Sequence, residues 1–229
     1  MTRGILIAGN ESGLSRAVET ETARRMARYA IALIPNRFSE PARFTSSPGG
    51  ASARRPEETA RIPLEWNPGS PISARTLVLA AENRLEHIDE AILICSPPSI
   101  RRGAAELSLT DIEILINDHV KGWFFLVREL AAVFRTRQSG TLALAYTDAV
   151  GGAKDDAADI LGPSALASFQ AFTRSLLASA GEPYSTIGFS CSDAGNEAGF
   201  ASFILKLLDD GNKRNNGKLH KYGKLNLFK

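Results

Sequence analysis

The stretch Ile5-Leu6-Ile7-Ala8-Gly9-Asn10-Glu11-Ser12-Gly13-Leu14-Ser15-Arg16 decides the fold. An apolar run ends at a glycine, passes through three polar residues, meets a second glycine and enters a helical pattern. Such a strand, turn and helix let backbone amides approach a pyrophosphate at the positive end of the helix. We therefore expect a nucleotide-binding fold, in which the cofactor-binding residues of this turn are Gly9, Asn10, Ser12, Gly13 and Leu14.

Length and composition indicate one ordinary globular domain over residues 1–229. The chain of 229 residues is 44% hydrophobic and 23% charged, with a net charge of +2, so charge alone favours no particular partner. Its apolar runs are strand-sized, well short of the ~20 residues of a membrane span, and we expect no membrane association. Cys95 and Cys191 end apolar runs and predict core thiols in a reduced, cytoplasmic protein. The three histidines show no metal-ligand spacing, so we expect no metal.

Apolar runs and helical patterns alternate along the whole chain. We predict strands at 5–9, 29–34, 62–66, 91–95, 140–146, 187–191 and 218–228, and helices at 16–28, from Ser70 or Ser73 to about 87, 110–135, 163–180 and 198–209. Residues 38–61 lack periodicity and predict a surface insertion or mobile loop. This alternation predicts an α/β fold, a Rossmann-like doubly wound parallel sheet of about seven strands with helices on both faces.

Three passages together resemble the short-chain dehydrogenase/reductase family. Residues 8–17 are similar to its glycine-rich turn, 119–124 to a passage in its fourth helix and 168–176 to its fifth helix. The resemblance implies an NAD(P)-dependent oxidoreductase. It also implies pairing of the fourth and fifth helices, here 110–135 and 163–180, into a homo-oligomer. A hetero-oligomer with an active relative is the other possibility.

The catalytic positions of that family depart from its pattern. The family's proton-transferring tyrosine falls at Gly162, and the lysine that supports it falls at Leu166. Neither side chain can carry a proton, so we expect a catalytically degenerate protein, a pseudoenzyme. The family's catalytic serine falls near Thr147 or Tyr146, and its relay asparagine becomes His119. An atypical oxidoreductase with relocated groups, using Tyr146, Thr147 or His119 with Lys154, remains the alternative.

Two further positions bear on the cofactor. Arg37 follows the second strand with no neighbouring acid, which favours NADP over NAD, although a solvated loop arginine is an equal reading. The family's acid that holds the adenine amine corresponds to Glu65. Glu11 places a negative charge beside the expected phosphates.

The C-terminal region, 212–229, is rich in basic residues. Phosphate contacts could bring it to nucleic acid. We instead predict an edge strand with lysines facing solvent, because edge strands carry lysine against aggregation, and expect no nucleic-acid partner.

Overall fold

Seven parallel strands form one sheet. The computed structural model describes residues 3–25, 28–35, 61–100, 102–148, 159–179, 181–193, 195–211 and 213–223. The strands are β1 (Gly4–Asn10), β2 (Arg28–Ile34), β3 (Arg61–Pro63), β4 (Glu90–Cys95), β5 (Thr141–Thr147), β6 (Ser185–Cys191) and β7 (Lys218–Tyr222). Their order is β3-β2-β1-β4-β5-β6-β7, and each neighbouring pair is parallel. The order reverses between β1 and β4, which confirms the doubly wound fold predicted from sequence.

Helices cover both faces of the sheet. The six helices are α1 (Gly13–Arg24), α2 (Pro71–Leu85), α3 (Leu109–Ile116), α4 (Gly122–Arg137), α5 (Leu161–Ala178) and α6 (Glu197–Asp209). One face buries the apolar sides of α2, α4 and α5, and the other buries those of α1 and α6. Strands β1 and β4 are buried along their whole length, as central parallel strands covered on both sides must be.

Several predicted element boundaries were wrong. Helix α1 begins at Gly13 and ends at Arg24, whereas the prediction ran from 16 to 28, and β2 already begins at Arg28. Ser70, rather than Ser73, is the N-cap of α2, since its hydroxyl accepts a hydrogen bond from the Ser73 amide at 3.2 Å. The predicted helix at 110–135 has an earlier cap, in which Ser108 and Asp111 form a capping box ahead of Leu109.

The helical segment between β4 and β5 contains a turn that sequence periodicity did not predict. Residues Asn117–Lys121 form one π turn between α3 and α4. A π turn holds an extra residue and therefore rotates the following helix relative to the preceding one. The helical period of the sequence over 110–135 predicts an apolar face made of Ile112, Leu115, Ile116, Val120, Phe124, Val127 and Ala131. In the structure, the buried residues beyond Leu115 include instead His119, Trp123, Leu126, Val127, Leu130 and Phe134.

The two ends of the sheet also differ in detail from the prediction. Strand β3 covers Arg61–Pro63 rather than 62–66, so Arg61 belongs to the sheet and not to the predicted insertion. The rest of that predicted insertion lies outside the described residues. Strand β7 ends at Tyr222, and Gly223 follows with a φ of 119° that favours glycine. Nowhere in the described ranges is a helix both long and apolar enough to cross a membrane.

Candidate functional site

The turn after β1 is shaped first by strand packing. Gly9 pairs with Ile94 of β4, and a Cβ at Gly9 would lie 2.4 Å from the Ile94 carbonyl oxygen. Only glycine fits there, whether or not a ligand binds. The next residue, Asn10, is 5% exposed, and its side-chain oxygen accepts a hydrogen bond from the Ser96 amide at 3.2 Å. The turn is thus tied to the end of β4.

The N-terminus of α1 is already partly capped by the chain. Ser12 is the N-cap, and its hydroxyl accepts a hydrogen bond from the Ser15 amide at 3.1 Å. The Ser15 hydroxyl accepts in return from the Ser12 amide at 2.9 Å. Of the first helical amides, those of Gly13 and Leu14 therefore remain for an anion. The Leu14 side chain packs in the core, so only its backbone could bind a cofactor.

Two carboxylates lie at this helix terminus. Glu11 forms an ion pair with Arg16, with 2.8 Å between nitrogen and oxygen. Glu197, the first residue of α6, points at the other side of the turn, where its Oε1 lies 3.2 Å from the position a Cβ would take at Gly13. A carboxylate is favoured at a helix N-terminus for the same reason that a phosphate is. A cofactor pyrophosphate at this terminus would be repelled by both carboxylates, so the residues present fit this group poorly.

A cleft of about 150 Å³ opens beside the turn, at the carboxyl ends of β1, β2 and β4. Its polar lining residues are Asn10, Glu11, Ser12, Ser96, Asp118 and His119, and its apolar ones are Ile34, Pro35, Pro97 and Pro98. Pockets that bury whole drug-sized ligands measure roughly 300–1,000 Å³. A cavity of about 150 Å³ accommodates one benzene-sized ring. The volume of this cleft alone is therefore below that range.

His119 is one of two buried titratable groups in the described lining of this cleft, beside Asp118. It lies on the π turn and is 3% exposed, and burial lowers the pKa of its imidazole to about 4. The Nδ1 atom of His119 has no hydrogen-bond partner among the described residues. The imidazole is thus neutral at pH 7, and its unpaired Nδ1 atom is itself buried. The sequence singled out His119 only because it replaces the asparagine of the similar family. Its burial was not predicted, because the π turn that places it in the core was not predicted.

Tyr146 and Thr147 are not among the residues that line the cleft with His119. Tyr146 is 2% exposed, and its ring meets Phe169 edge-on with 6.2 Å between ring centroids. Burial, followed by the charge of Asp148, raises the pKa of Tyr146 despite a hydrogen bond with Ser190. Neither Tyr146 nor Thr147 lines the cleft. Burial of the phenol within the aromatic core removes it from reach of a substrate.

Gly162, the position that the sequence resemblance assigns to the family's tyrosine, has little room for a side chain. A Cβ at Gly162 would lie 2.8 Å from the Pro98 carbonyl oxygen and 2.9 Å from Asp159 Oδ2. Asp159 holds this arrangement, since its carboxylate accepts hydrogen bonds from the Gly162 amide at 3.0 Å and from the Ile100 amide at 3.2 Å. Leu166, one turn later, is buried. Sequence reasoning did not single out Asp159 or Glu197.

The remaining predicted positions are not gathered at the cleft. Glu65 is exposed in the loop after β3 and does not line the cleft. Arg37 and Lys154 lie outside the described residues. Within the described ranges, no group of three or more His, Cys, Asp or Glu side chains could hold a metal ion.

Comparisons with known proteins identify the fold. No protein-family model matches the chain, and no curated protein matches it in sequence. Solved structures do match it over nearly its whole length. A short-chain dehydrogenase from Bacillus anthracis is 15% identical with a TM-score of 0.71, covering 96% of this chain and 94% of its own.

Two reductases are similar to the same extent. Levodione reductase is 14% identical with a TM-score of 0.70, covering 96% of this chain and 95% of its own. A putative 3-oxoacyl-reductase from Bacillus thuringiensis is 12% identical with a TM-score of 0.68, covering 96% of each chain. The chain therefore has the fold of the short-chain dehydrogenases and reductases.

Proposed function

We propose that the chain is a non-catalytic protein with the fold of the short-chain dehydrogenases and reductases, which acts by associating with a second chain. The observation that carries this proposal is the contact of Gly162 with the Pro98 carbonyl oxygen. A proton-donating side chain needs space at that position, and backbone fills it. No other described side chain supplies an accessible phenol at the cleft, because Tyr146 is buried beside Phe169.

The exposed apolar side chains support association through the helices after β4 and β5. Leu109 is 80% exposed, Ile116 39% and Phe124 53%, although all three are large and apolar. The Phe124 ring lies 4.5 Å, between centroids, from that of Phe172 on α5, so the two helices present one apolar surface. Exposed patches of this kind mark interaction sites. We take the partner to be a second copy of this chain, with an active relative as the other candidate.

Not every aromatic residue of these helices contributes to this surface. The sequence predicts an aromatic surface made of Phe124, Phe125, Phe134, Phe169 and Phe172, but Phe134 and Phe169 are fully buried in the core. The surface therefore depends on Phe124 and Phe172. Cys95 and Cys191 are buried free thiols, which suits the reduced cytoplasm that we propose as the location.

The test of association is the molar mass in solution. Light scattering after gel filtration should give a dimer or larger assembly for the wild-type chain and a monomer for Phe124→Asp. Ile72→Asp is the matched control, because Ile72 is 77% exposed on α2, outside this surface. A monomeric wild type, or equal effects of the two substitutions, would contradict the proposed interface.

The cofactor is tested separately. We propose that a nicotinamide dinucleotide, of which NADP is favoured by Arg37, binds with a Kd weaker than about 1 mM, since Glu197 stands at the N-terminus of α1. Calorimetric titration with NADPH and NADH measures this affinity, and a panel of carbonyl substrates measures turnover. Tight binding with turnover would overturn the non-catalytic proposal.

The second candidate function is an atypical NAD(P)-dependent oxidoreductase. The position of His119 in the cleft wall favours it, since a neutral imidazole can exchange a proton with a bound ligand. If carbonyl reduction is detected, Tyr146→Phe and His119→Gln identify the acid. Activity that survives Tyr146→Phe and is lost in His119→Gln would assign the role to His119.

A further inference from the structure

We infer that a groove between α2 and α4 binds a zwitterionic amino acid with a large aliphatic side chain, such as leucine. Arg75 and Glu129 belong to the lining of this α2–α4 groove, together with apolar side chains. Its volume of about 320 Å³ admits such a molecule, and the class of ligand follows from the lining. Phe124 and Phe172 are not among the described lining residues, so the inference goes beyond the proposed function and does not rest on it.

The middle of the groove is apolar and faces water. Val78 and Leu79 line it from α2, and Ala132 and Val133 line it from α4. Leu79 is 51% exposed although it is large and apolar, and Ala132 is exposed as well. Burial of apolar surface is favourable in proportion to the area removed from water. A long aliphatic side chain lying along these residues therefore binds better than a methyl group.

Arg75 and Glu129 lie at about the same level on the two sides of the groove. Both helices connect parallel strands across one face of the sheet, so they run in the same direction. They begin in register, since a Cβ at Gly122 would lie 2.5 Å from the Pro68 Cβ. Arg75 follows Pro68 by seven residues, and Glu129 follows Gly122 by seven. The groove therefore has a cation on one side and a carboxylate on the other.

Both of these charges can take up a ligand. Arg75 is exposed, and its guanidinium has no hydrogen-bond or ion-pair partner in the part of the chain that the structure describes. The Glu129 side chain is 22% exposed, and the ion pair described for it, with Arg128, is as long as 4.0 Å. An exposed pair of that length contributes little in water. The Glu129 carboxylate can therefore accept hydrogen bonds from a ligand.

The two charged residues at the other end of the groove already have partners. Glu82 accepts a hydrogen bond from the Ile88 amide at 2.6 Å. Arg137 donates to the Ile88 carbonyl oxygen at 2.5 Å and to the Asp89 carboxylate at 3.4 Å. The charged groups of a ligand are therefore directed to the end of the groove at Arg75.

An amino acid matches this end of the groove in both charges. A guanidinium binds a carboxylate through two parallel hydrogen bonds, and a carboxylate accepts hydrogen bonds from an ammonium. In an α-amino acid both charged groups and the side chain are attached to the same carbon. The carboxylate then binds Arg75 and the ammonium binds Glu129, while the side chain lies on the apolar middle. A fatty acid would leave Glu129 without a counter-charge, and a simple amine would leave Arg75 without one.

Leucine and three analogues, each of which lacks one feature, test the inference on the full chain. N-acetyl-leucine lacks the ammonium, leucinamide lacks the carboxylate, and alanine lacks the large side chain. Titrations followed by amide chemical shifts should give saturable leucine binding in the millimolar range, because the ion pairs are exposed to solvent. Each analogue should bind about fivefold more weakly, and the shifted amides should lie in α2 and α4.

Substitutions in the lining assign each charge to its partner group. Arg75→Gln should weaken the binding of leucine and N-acetyl-leucine about fivefold and leave that of leucinamide unchanged, because only the carboxylate binds Arg75. Glu129→Gln should weaken leucine and leucinamide binding and leave N-acetyl-leucine binding unchanged. Arg84→Gln, at another exposed arginine of α2 outside the lining, is the control and should bind leucine as the wild type does.

Three results would overturn the inference. They are the absence of a saturable shift with leucine at about 50 mM, binding of N-acetyl-leucine or leucinamide as tight as that of leucine, and leucine binding that Arg75→Gln leaves unchanged. None of these bears on the proposed association, which is tested by the molar mass of Phe124→Asp.

Discussion

The β1–α1 turn and the start of α5 both contain a glycine in very close contact with a carbonyl oxygen, yet the consequences differ. At Gly9 the contact joins two neighbouring strands, and the cleft beside it stays open. At Gly162 the close approach joins the loop after β4 to the first turn of α5, and it leaves little room for a side chain at the position that the sequence resemblance assigns to a catalytic tyrosine. The first glycine is required by the packing of the sheet, and the second carries the proposal that the chain is non-catalytic.

The difference shows what a glycine in a familiar pattern can mean. Gly9 would be required by its contact with Ile94 even in a chain that binds nothing. Its presence indicates a Rossmann-like sheet and says little about a ligand. The carboxylates around the turn are more informative about function, because they determine which charge a ligand can have. Four substitutions test the comparison between the β1–α1 turn, which borders an open cleft, and the closely packed start of α5 at Gly162.

The largest effect concerns His119, which lies in the wall of the open region. Its pKa of about 4 in the folded chain lies below the unfolded value, so protons bind more tightly to the unfolded chain. The stability that His119 contributes is complete above about pH 6.5 and is lost as the pH falls towards 4. The wild type should lose about 3 kcal/mol relative to His119→Gln over this window.

Urea denaturation of both proteins at several pH values between 7 and 4 measures that difference. Comparing the two profiles cancels the other titrating groups, among them Glu90, whose pKa burial raises. Profiles that run parallel over the whole window would show that His119 is not buried as a neutral group.

The second effect concerns the closed region. Gly162→Tyr would place a Cβ 2.8 Å from the Pro98 carbonyl oxygen, so the backbone must shift. We expect a loss of about 2 kcal/mol in the free energy of unfolding, the usual size of an overpacking penalty. Ser164→Tyr, at an exposed position on the same helix, should change stability little. If Gly162→Tyr were as stable as Ser164→Tyr, the first turn of α5 would have room for a side chain at residue 162, contrary to the structure.

The third effect concerns the anion position of the turn. Glu197→Gln removes a negative charge from the N-terminus of α1 and should tighten pyrophosphate and NADPH binding about fivefold, equivalent to about 1 kcal/mol. Calorimetry measures both affinities. Asp210→Asn removes a charge beyond the other end of α6 and is the control. Equal affinities in Glu197→Gln and the wild type would mean that Glu197 does not oppose phosphates.

The smallest effect is expected at Gly13. A Cβ there would meet Glu197 Oε1 at 3.2 Å, which is the far end of a flexible side chain and can move aside. Gly13→Ala should therefore change the free energy of unfolding by less than about 0.5 kcal/mol, since alanine also favours the helix. Chemical denaturation measures it, and a loss as large as that of Gly162→Tyr would remove the contrast between the regions.

Local patterns predicted the fold well. Apolar runs such as 91–95 are strands because central parallel strands are buried on both faces, and Pro163 falls in the first turn of α5 as expected. The absence of the family's tyrosine and lysine at Gly162 and Leu166 stays a prediction from the sequence resemblance. Element ends were less predictable, because caps such as Ser108 compete with equally good candidates nearby.

The candidate site was harder to predict, because its contacts join distant parts of the chain. Glu197 reaches Gly13, and Asp159 reaches Ile100, through tertiary packing that no local pattern encodes. The π turn, which directs His119 into the core, could not be predicted from the spacing of apolar residues either, because its extra residue breaks the helical period. The sequence thus predicted that catalytic groups are absent, and the structure was needed to show which residues pack around Gly162 and Gly13.

The carboxylate of Asp159 has a consequence for how the chain folds. Its bond to the Ile100 amide spans 59 residues and joins the loop after β4 to the segment that leads into α5. The Ile100 and Gly162 amides both depend on this one carboxylate, whereas the amides within β4 and β5 belong to a hydrogen-bonded ladder in the middle of the sheet. In pulse-labelled hydrogen exchange, the amides of Ile100 and Gly162 should therefore gain protection later than those within β4 and β5. The packing around Gly162 would then be completed among the last steps of folding, timed by one side chain.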